Sequence, residues 1–211
     1  MTVIIFDLDG TLTDPKPGIT RSIQYALGKL DRPIPLADEL TWCIGPPLRG
    51  SLKQLLGTDE LADRALTLYR ERFSDIGLFE NKVYPGIEDT LSALARSGRR
   101  LFVATSKAHL YAERIIDHFK LRGYFERVFG AELDGTHSDK SDLLRYALQS
   151  VDVDPSQAMM IGDRSFDMVG ARNNGMTAVG VLYGYGSEAE LRTAGAHHIC
   201  ATPQGLLDHT G

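Results

Sequence analysis

Cysteine is nearly missing from this chain. Cys43 and Cys200 are the only two among 211 residues. They form no disulfide framework and no metal-type spacing, and they fit a reducing compartment. Long apolar runs are missing too: stretches such as Val3-Ile4-Ile5-Phe6 end after about four residues, far below the ~20 that span a bilayer, so no membrane crossing is expected. Positive charge is not in excess. With 23 Lys+Arg against 28 Asp+Glu and a formal charge of −5, there is no electrostatic footprint for a nucleic acid polymer. The first residues carry neither a basic n-region nor a small-residue cleavage site, which predicts a cytoplasmic protein without a secretory leader. Repeats and low-complexity tracts are absent. What is present, 211 residues of which 43% are hydrophobic, suffices for one sizeable core, or for a core of roughly 130 residues plus a smaller insert.

Val3-Ile4-Ile5-Phe6 reads as a strand buried on both faces, closed by Asp7-Leu8-Asp9-Gly10-Thr11. Four more runs repeat the pattern, at 101–104, 127–129, 158–161 and 178–182. Between them lie helical stripes. Ile87, Leu91, Leu94 and Ala95 start after Pro85-Gly86 and stop at Gly98; Ala108, Ala112, Ile115, Ile116 and Phe119 form a second stripe, and Leu143, Leu144, Ala147 and Leu148 a third. Such alternation predicts a doubly wound, parallel α/β sheet with a Rossmann-like core. From Pro15 to Asn81 the strand pattern disappears and three helical faces replace it. Turn-rich edges at Asp14-Pro15-Lys16-Pro17-Gly18 and Val83-Tyr84-Pro85-Gly86 bound this stretch. The expected organisation is a core of 1–14 and 82–211 with an all-helical insert of 15–81 after the first strand. Trp42, Tyr69 and Phe73 read as core of that insert.

Ligands of an open parallel sheet bind beyond the carboxyl ends of its strands. Polar residues gather at that edge: Asp7 and Asp9 after the first strand, Thr105 and Ser106 after the second, Lys140 after the third, Gly162-Asp163 after the fourth. Asp7 and Asp9 can both point into one site, and Gly10 lets the backbone approach a ligand closely. Like charges so near each other call for a cation or a retained proton. Asp163 and Asp167 add two more carboxylates, which predicts a hard-cation site suited to magnesium, an ion that binds through few carboxylates plus a substrate phosphate. On its own, Asp-x-Asp-Gly-Thr also reads as a strand-end turn with exposed acids, and Thr105-Ser106 as the N-cap of the following helix. His197-His198 are adjacent and show no ligand spacing. Tyr183-Gly184-Tyr185-Gly186 reads as a loop after the fifth strand.

Phe6-Asp7-Leu8-Asp9-Gly10-Thr11-Leu12, Thr105 after an apolar strand, Lys140 and Gly162-Asp163-x3-Asp167 resemble, in order and spacing, the four motifs of the haloacid dehalogenase superfamily of phosphatases. The helical insert after the first motif and Tyr84-Pro85-Gly86-Ile87 resemble the branch with phosphoglycolate phosphatases, 5'-nucleotidases and phosphoglucomutases. The resemblance implies a phosphomonoester hydrolase with Asp7 as nucleophile, forming an aspartyl-phosphate. Asp9 would be the acid and base. It further implies magnesium held by Asp7, Asp163 and the backbone carbonyl of Asp9, with Asp167 orienting the shell. Lys140, before the Leu143 helix, would reach Asp7 and the phosphoryl group; Thr105 would donate its hydroxyl and Ser106 its amide to a phosphoryl oxygen, beside Gly10. Dehalogenases lack the second acid, so Asp9 argues against them.

The insert resembles a mobile cap that closes on the substrate. Within it, Ile44-Gly45-Pro46-Pro47-Leu48-Arg49 is a stiff loop from which Arg49 could contact the leaving group, unless it is a surface arginine at a helix entry. Lys16 and Arg164 are weaker candidates. Val103-Ala104-Thr105-Ser106-Lys107 and Val181-Leu182-Tyr183-Gly184-Tyr185-Gly186 look most similar to bacterial 5'-nucleotidase-like members. Phosphoglycolate phosphatases often carry Asn where Ser106 stands. The implied partner is a small phosphorylated metabolite or nucleotide; a sugar phosphomutase and a non-catalytic phosphate-responsive protein are the alternatives.

Overall fold

The structure, a computed structural model, describes residues 3–209. The described residues form eight strands and eight α-helices, which alternate except where β2 follows β1 and where α1, α2 and α3 run in succession. The strands are β1 (Val3–Phe6), β2 (Thr13–Asp14), β3 (Lys82–Val83), β4 (Arg100–Ala108), β5 (Arg127–Ala131), β6 (Ala158–Gly162), β7 (Thr177–Val181) and β8 (His198–Cys200). The helices are α1 (Lys16–Lys29), α2 (Leu48–Leu56), α3 (Asp59–Asp75), α4 (Ile87–Arg96), α5 (His109–His118), α6 (Lys140–Ser150), α7 (Ser165–Asn173) and α8 (Glu188–Thr193). The chain forms two compact units. One runs to Asp14 and resumes at Val83; the other is Pro15–Lys82.

The first unit is built on a six-stranded sheet in the order β5-β4-β1-β6-β7-β8, parallel throughout. After β1 the chain builds outward through β4 and β5, then returns to lay down β6, β7 and β8 on the other side. β1 is therefore where the winding direction reverses, and a crevice opens beyond its carboxyl end. Its four side chains are all fully buried. Val3 and Ile5 join Phe102, Leu143, Leu144, Met160 and Met168 on one face, while Phe6 meets Phe125 edge-on at 6.1 Å from the other. The alternation of a strand thus serves two helical layers, which is why its sequence is apolar without a break.

Two sequence expectations shift. The second strand does not stop at Ala104: β4 continues to Ala108, so Thr105 and Ser106 lie within it, and α5 begins at His109 with Ala108 as its cap. Thr105 and Ser106 are therefore not the N-cap of that helix. Pairing with β5 explains the extension, because Thr105 opposes Gly130 and Ala108 opposes Ala131, with a register shift between them. The sheet also gains β8, which offers only Ile199 and Cys200 as apolar residues. Three residues on a sheet edge leave too short a pattern to show in sequence.

In the second unit, α1, α2 and α3 pack through Ile23, Ala26, Leu27, Leu52, Ala62, Ala65, Tyr69 and Phe73, all buried. Tyr69 and Phe73 stack at 4.9 Å; Trp42 is only half-buried. Arg72 donates to Glu80 at 2.8 Å and to Ser22 at 3.1 Å, fixing the end of α3 to α1. Phe73 is 1% exposed, so Phe73→Ala should remove about 3–5 kcal/mol from this unit. The expected readout is faster amide exchange over α1 and α3 with β1 and β6 unchanged; uniform acceleration along the whole chain would contradict an independent unit.

Candidate active site

Beyond the end of β1 the Asp7 amide continues the ladder by donating to the Ile161 carbonyl at 2.9 Å. The chain then folds back on Leu8, whose carbonyl accepts from the Leu12 and Thr13 amides at 2.9 and 3.0 Å. This turn keeps Asp7 and Asp9 3% and 6% exposed. The strand-end turn is real, but its acids are buried. Gly10 permits it: its φ is +88°, and a Cβ there would stand 2.2 Å from an Asp163 carboxylate oxygen.

Three carboxylates meet at this edge. Asp7, Asp163 and Asp167 each offer an oxygen, all within 4.8 Å of one another, and all three are buried. Asp163 follows β6; Asp167 lies in the first turn of α7, where its Oδ2 accepts the Arg164 amide at 3.1 Å. Lys140, the first residue of α6, sends its ammonium among them. Its Nζ lies 2.9 Å from Asp7 Oδ1 and 2.8 Å from Asp167 Oδ1 and donates to the Ala104 carbonyl at 3.0 Å. Burial alone would push this ammonium down, but the Asp167 and Asp7 carboxylates outweigh it and keep its pKa above the ordinary lysine value.

The balance is incomplete. Three carboxylates face one ammonium, and burial together with Asp167 and Asp7 pushes Asp163 well above the usual carboxylate range. Burial likewise raises Asp167, to about 6, although Lys140 opposes it. Asp163 Oδ2 accepts from the Tyr185 amide at 2.7 Å, while Oδ1 is buried with no partner. A buried, undonated carboxylate oxygen in an all-oxygen set fits a hard divalent cation such as magnesium.

The Asp9 carboxylate does not join that cluster. Its Oδ2 lies 2.7 Å from the Lys107 ammonium, both side chains being less than 10% exposed, and its Oδ1 has no partner. The pair with Lys107 holds the Asp9 side chain apart from the three acids, and the part expected of Asp9 toward the ion was that of its backbone carbonyl. Burial pushes its pKa up and Lys107 pulls it back only in part. Thr105 is 2% exposed, and its Oγ1 accepts the Lys107 amide at 3.3 Å. Ser106 Oγ and Thr11 Oγ1 are buried without partners. Unpaired buried hydroxyls are costly unless a ligand completes them.

Arg49 is engaged inside its own unit. Its guanidinium donates to both oxygens of Asp63, at 2.6 and 3.0 Å, and to Asp59 at 2.9 Å. Lys16 pairs with Asp38, and Arg164 with Glu190 at 3.0 Å. Lys107 is the residue that sequence reasoning missed. It stands on the bulged part of β4, where the pleat no longer tells which way a side chain points. Gly130, which pairs with Thr105, leaves room for this bulge, since a Cβ there would lie 2.9 Å from the Lys107 carbonyl oxygen, but it carries no sign of the Lys107 ammonium.

Comparison with known proteins places this geometry among relatives. The model of the haloacid dehalogenase-like hydrolases matches residues 4–181. A 5'-nucleotidase of Pseudomonas aeruginosa is 47% identical over 199 residues, 94% of this chain and 90% of that protein. The tyrosine-protein kinase PtkA of Mycobacterium tuberculosis is 41% identical over 87% of this chain, which spans 63% of that longer protein. Among solved structures, one described as a predicted phosphatase from Clostridium acetobutylicum superposes with a TM-score of 0.96 at 43% identity, covering 99% of this chain and 97% of that one.

Removing the ammonium from the Asp9 pair isolates a buried charge. Lys107→Met should therefore cost about 3–5 kcal/mol of stability at neutral pH. With its folded pKa already above the unfolded value, Asp9 is protonated as the pH falls, so the penalty should shrink toward pH 4. Urea titrations at the two pH values check this; an equal loss at both would mean that only packing was removed.

Proposed function

This chain belongs to the haloacid dehalogenase-like hydrolases and is a phosphatase, and from that premise we propose that it hydrolyses nucleoside 5'-monophosphates through a phosphorylated Asp7. The observation that carries the reading is the Lys140 ammonium, 4% exposed, bridging Asp7 and Asp167 at 2.9 and 2.8 Å. A buried lysine so placed holds the nucleophile in one orientation and lends positive charge to the phosphoryl oxygens as they approach.

In the first step an Asp7 carboxylate oxygen forms a bond to phosphorus as the bond to the ester oxygen breaks, and Asp9 gives that oxygen a proton. In the second step water attacks the phosphorus, Asp9 takes the proton from it, and the Asp7–phosphorus bond breaks to release inorganic phosphate. Asp9 suits both duties because burial raises its pKa above the ordinary carboxylate value while the Lys107 ammonium fixes its orientation. The unpaired Ser106 and Thr11 hydroxyls are available as donors to the phosphoryl oxygens, next to Thr105 and the Gly10 turn. Asp7, Asp163 and Asp167 would hold magnesium, which supplies charge neutralisation for the phosphoryl group.

Substrate choice is assigned to the helical unit 15–82, acting as a cap. Arg49 would have to exchange its ion pairs with Asp59 and Asp63 to engage a leaving group. The nucleotide preference rests on the Pseudomonas relative, which is called a 5'-nucleotidase and matches 94% of this chain. Cys43 and Cys200, both buried and unbridged, support a cytoplasmic setting, and no described helix is long and apolar enough to cross a membrane.

Purified protein should release phosphate from p-nitrophenyl phosphate only with magnesium present, lose the activity to EDTA and regain it on readdition. Across nucleoside monophosphates, phosphoglycolate, sugar phosphates and pyrophosphate, kcat/KM should be highest for a nucleoside 5'-monophosphate; a preference for phosphoglycolate would sink the nucleotide assignment. Asp7→Asn should abolish turnover, and Asp9→Asn should lower kcat about 10²–10⁴-fold. Turnover that survives Asp7→Asn would refute the covalent route.

A further inference from the structure

Tyr183-Gly184-Tyr185-Gly186 is absorbed by none of the chemistry above, yet it lies directly against Asp163. A Cβ at Gly184 would stand 2.3 Å from the Gly10 carbonyl oxygen and 2.4 Å from Asp163 Cβ, and one at Gly186 would stand 2.0 Å from the Asp163 carbonyl oxygen. Only glycine admits backbone so close at both positions. The segment is a strap drawn over the acid, with a tyrosine between its two glycines.

Tyr185 fastens the strap at two ends. Its amide donates to Asp163 Oδ2 at 2.7 Å. Its phenolic O–H donates to Asp14 Oδ1, on the last residue before the chain departs for the helical unit. Tyr84, just after the chain returns, is hydrogen-bonded to Tyr185 and packs its ring edge-on against Tyr183, centroids 5.1 Å apart. A carboxylate free to spin about its Cβ–Cγ bond would present either oxygen. Here one oxygen is taken by a fixed amide, and the other, Oδ1, is buried without a donor.

We propose that Tyr185 is a positioning residue for Asp163: its phenol, anchored on Asp14, holds its own amide against Asp163 Oδ2 and so reserves Oδ1 for magnesium. The inference rests on the reading of Asp163 as a magnesium ligand. Partners that orient a metal ligand are typically worth a factor of about 10–100 in metal affinity, and the cluster's repulsion makes a misdirected carboxylate especially costly here.

The test is calorimetric titration of the full-length protein with magnesium chloride, without substrate. Tyr185→Phe keeps the amide and removes only the phenolic anchor; it should weaken magnesium binding about tenfold or more. Asp14→Ala should do the same, the double variant should be no worse than either single one, and Asp14→Asn, which still offers an acceptor oxygen, should restore most of the affinity. A merely structural tyrosine would lower the melting temperature and leave the magnesium affinity untouched, which would overturn the proposal. So would multiplicative effects in the double variant. Asp163→Ala separates the two readings. Wild-type binding that is lost in Asp163→Ala but intact in Tyr185→Phe overturns the strap alone, whereas binding unchanged in Asp163→Ala, or absent from the wild type, removes the magnesium site and the strap with it.

Discussion

A single ammonium among buried carboxylates governs this molecule. Lys140 reaches Asp7, Asp167 and the Ala104 carbonyl together, and thereby joins the loop after β1, the middle of β4 and the first turn of α7 at one point. Removing several acids from water is strongly unfavourable unless compensating charge enters with them. One lysine compensates only part of it. Burial and mutual repulsion raise the proton affinities of Asp163 and Asp167, and the three acids, each offering an oxygen within 4.8 Å of the others, make a set that could hold a metal ion.

The sheet topology explains why these residues and no others meet. Reversal of the winding at β1 places its carboxyl end between β4 and β6, so whatever follows those three strands shares one crevice. Asp7 and Asp163 follow β1 and β6 directly, and Thr105 lies within the longer β4. Lys140 arrives from a helix start instead, and its stem passes Gly170, where a Cβ would touch it at 2.8 Å. Two glycine positions thus have the same purpose at different distances from the chemistry: Gly10 admits the Asp163 carboxylate, and Gly170 admits the lysine that balances it.

The strands of the core and the gathering of Asp7, Asp163, Asp167 and Lys140 were legible in sequence because an unbroken apolar run followed by a polar turn is a strong local signal. The remainder was hidden for physical reasons. Lys107 sits past a register shift that only strand pairing creates, so its neighbour Asp9 could be recognised as an acid but not as half of an ion pair. Thr105 and Ser106 looked like loop residues because polar character in a strand is ordinarily read as its end; here partnership with Gly130 and Ala131 carries the ladder further. β8 was too short for any periodicity. Tyr185 was unreadable in a different way, since its contacts join an amide to Asp163 and a phenol to Asp14, 171 positions away along the chain.

The buried pair of Asp7 and Lys140 is separated by 133 positions along the chain, and β1 needs strands from both halves of the sequence as neighbours. During synthesis the Asp7 carboxylate leaves the ribosome long before its counter-charge on Lys140 exists. Contacts so remote form late and slowly in folding. A polypeptide that has emerged only as far as β5 therefore holds Asp7 without Lys140, Asp163 or Asp167, and the buried cluster closes only once α6, β6 and α7 have followed.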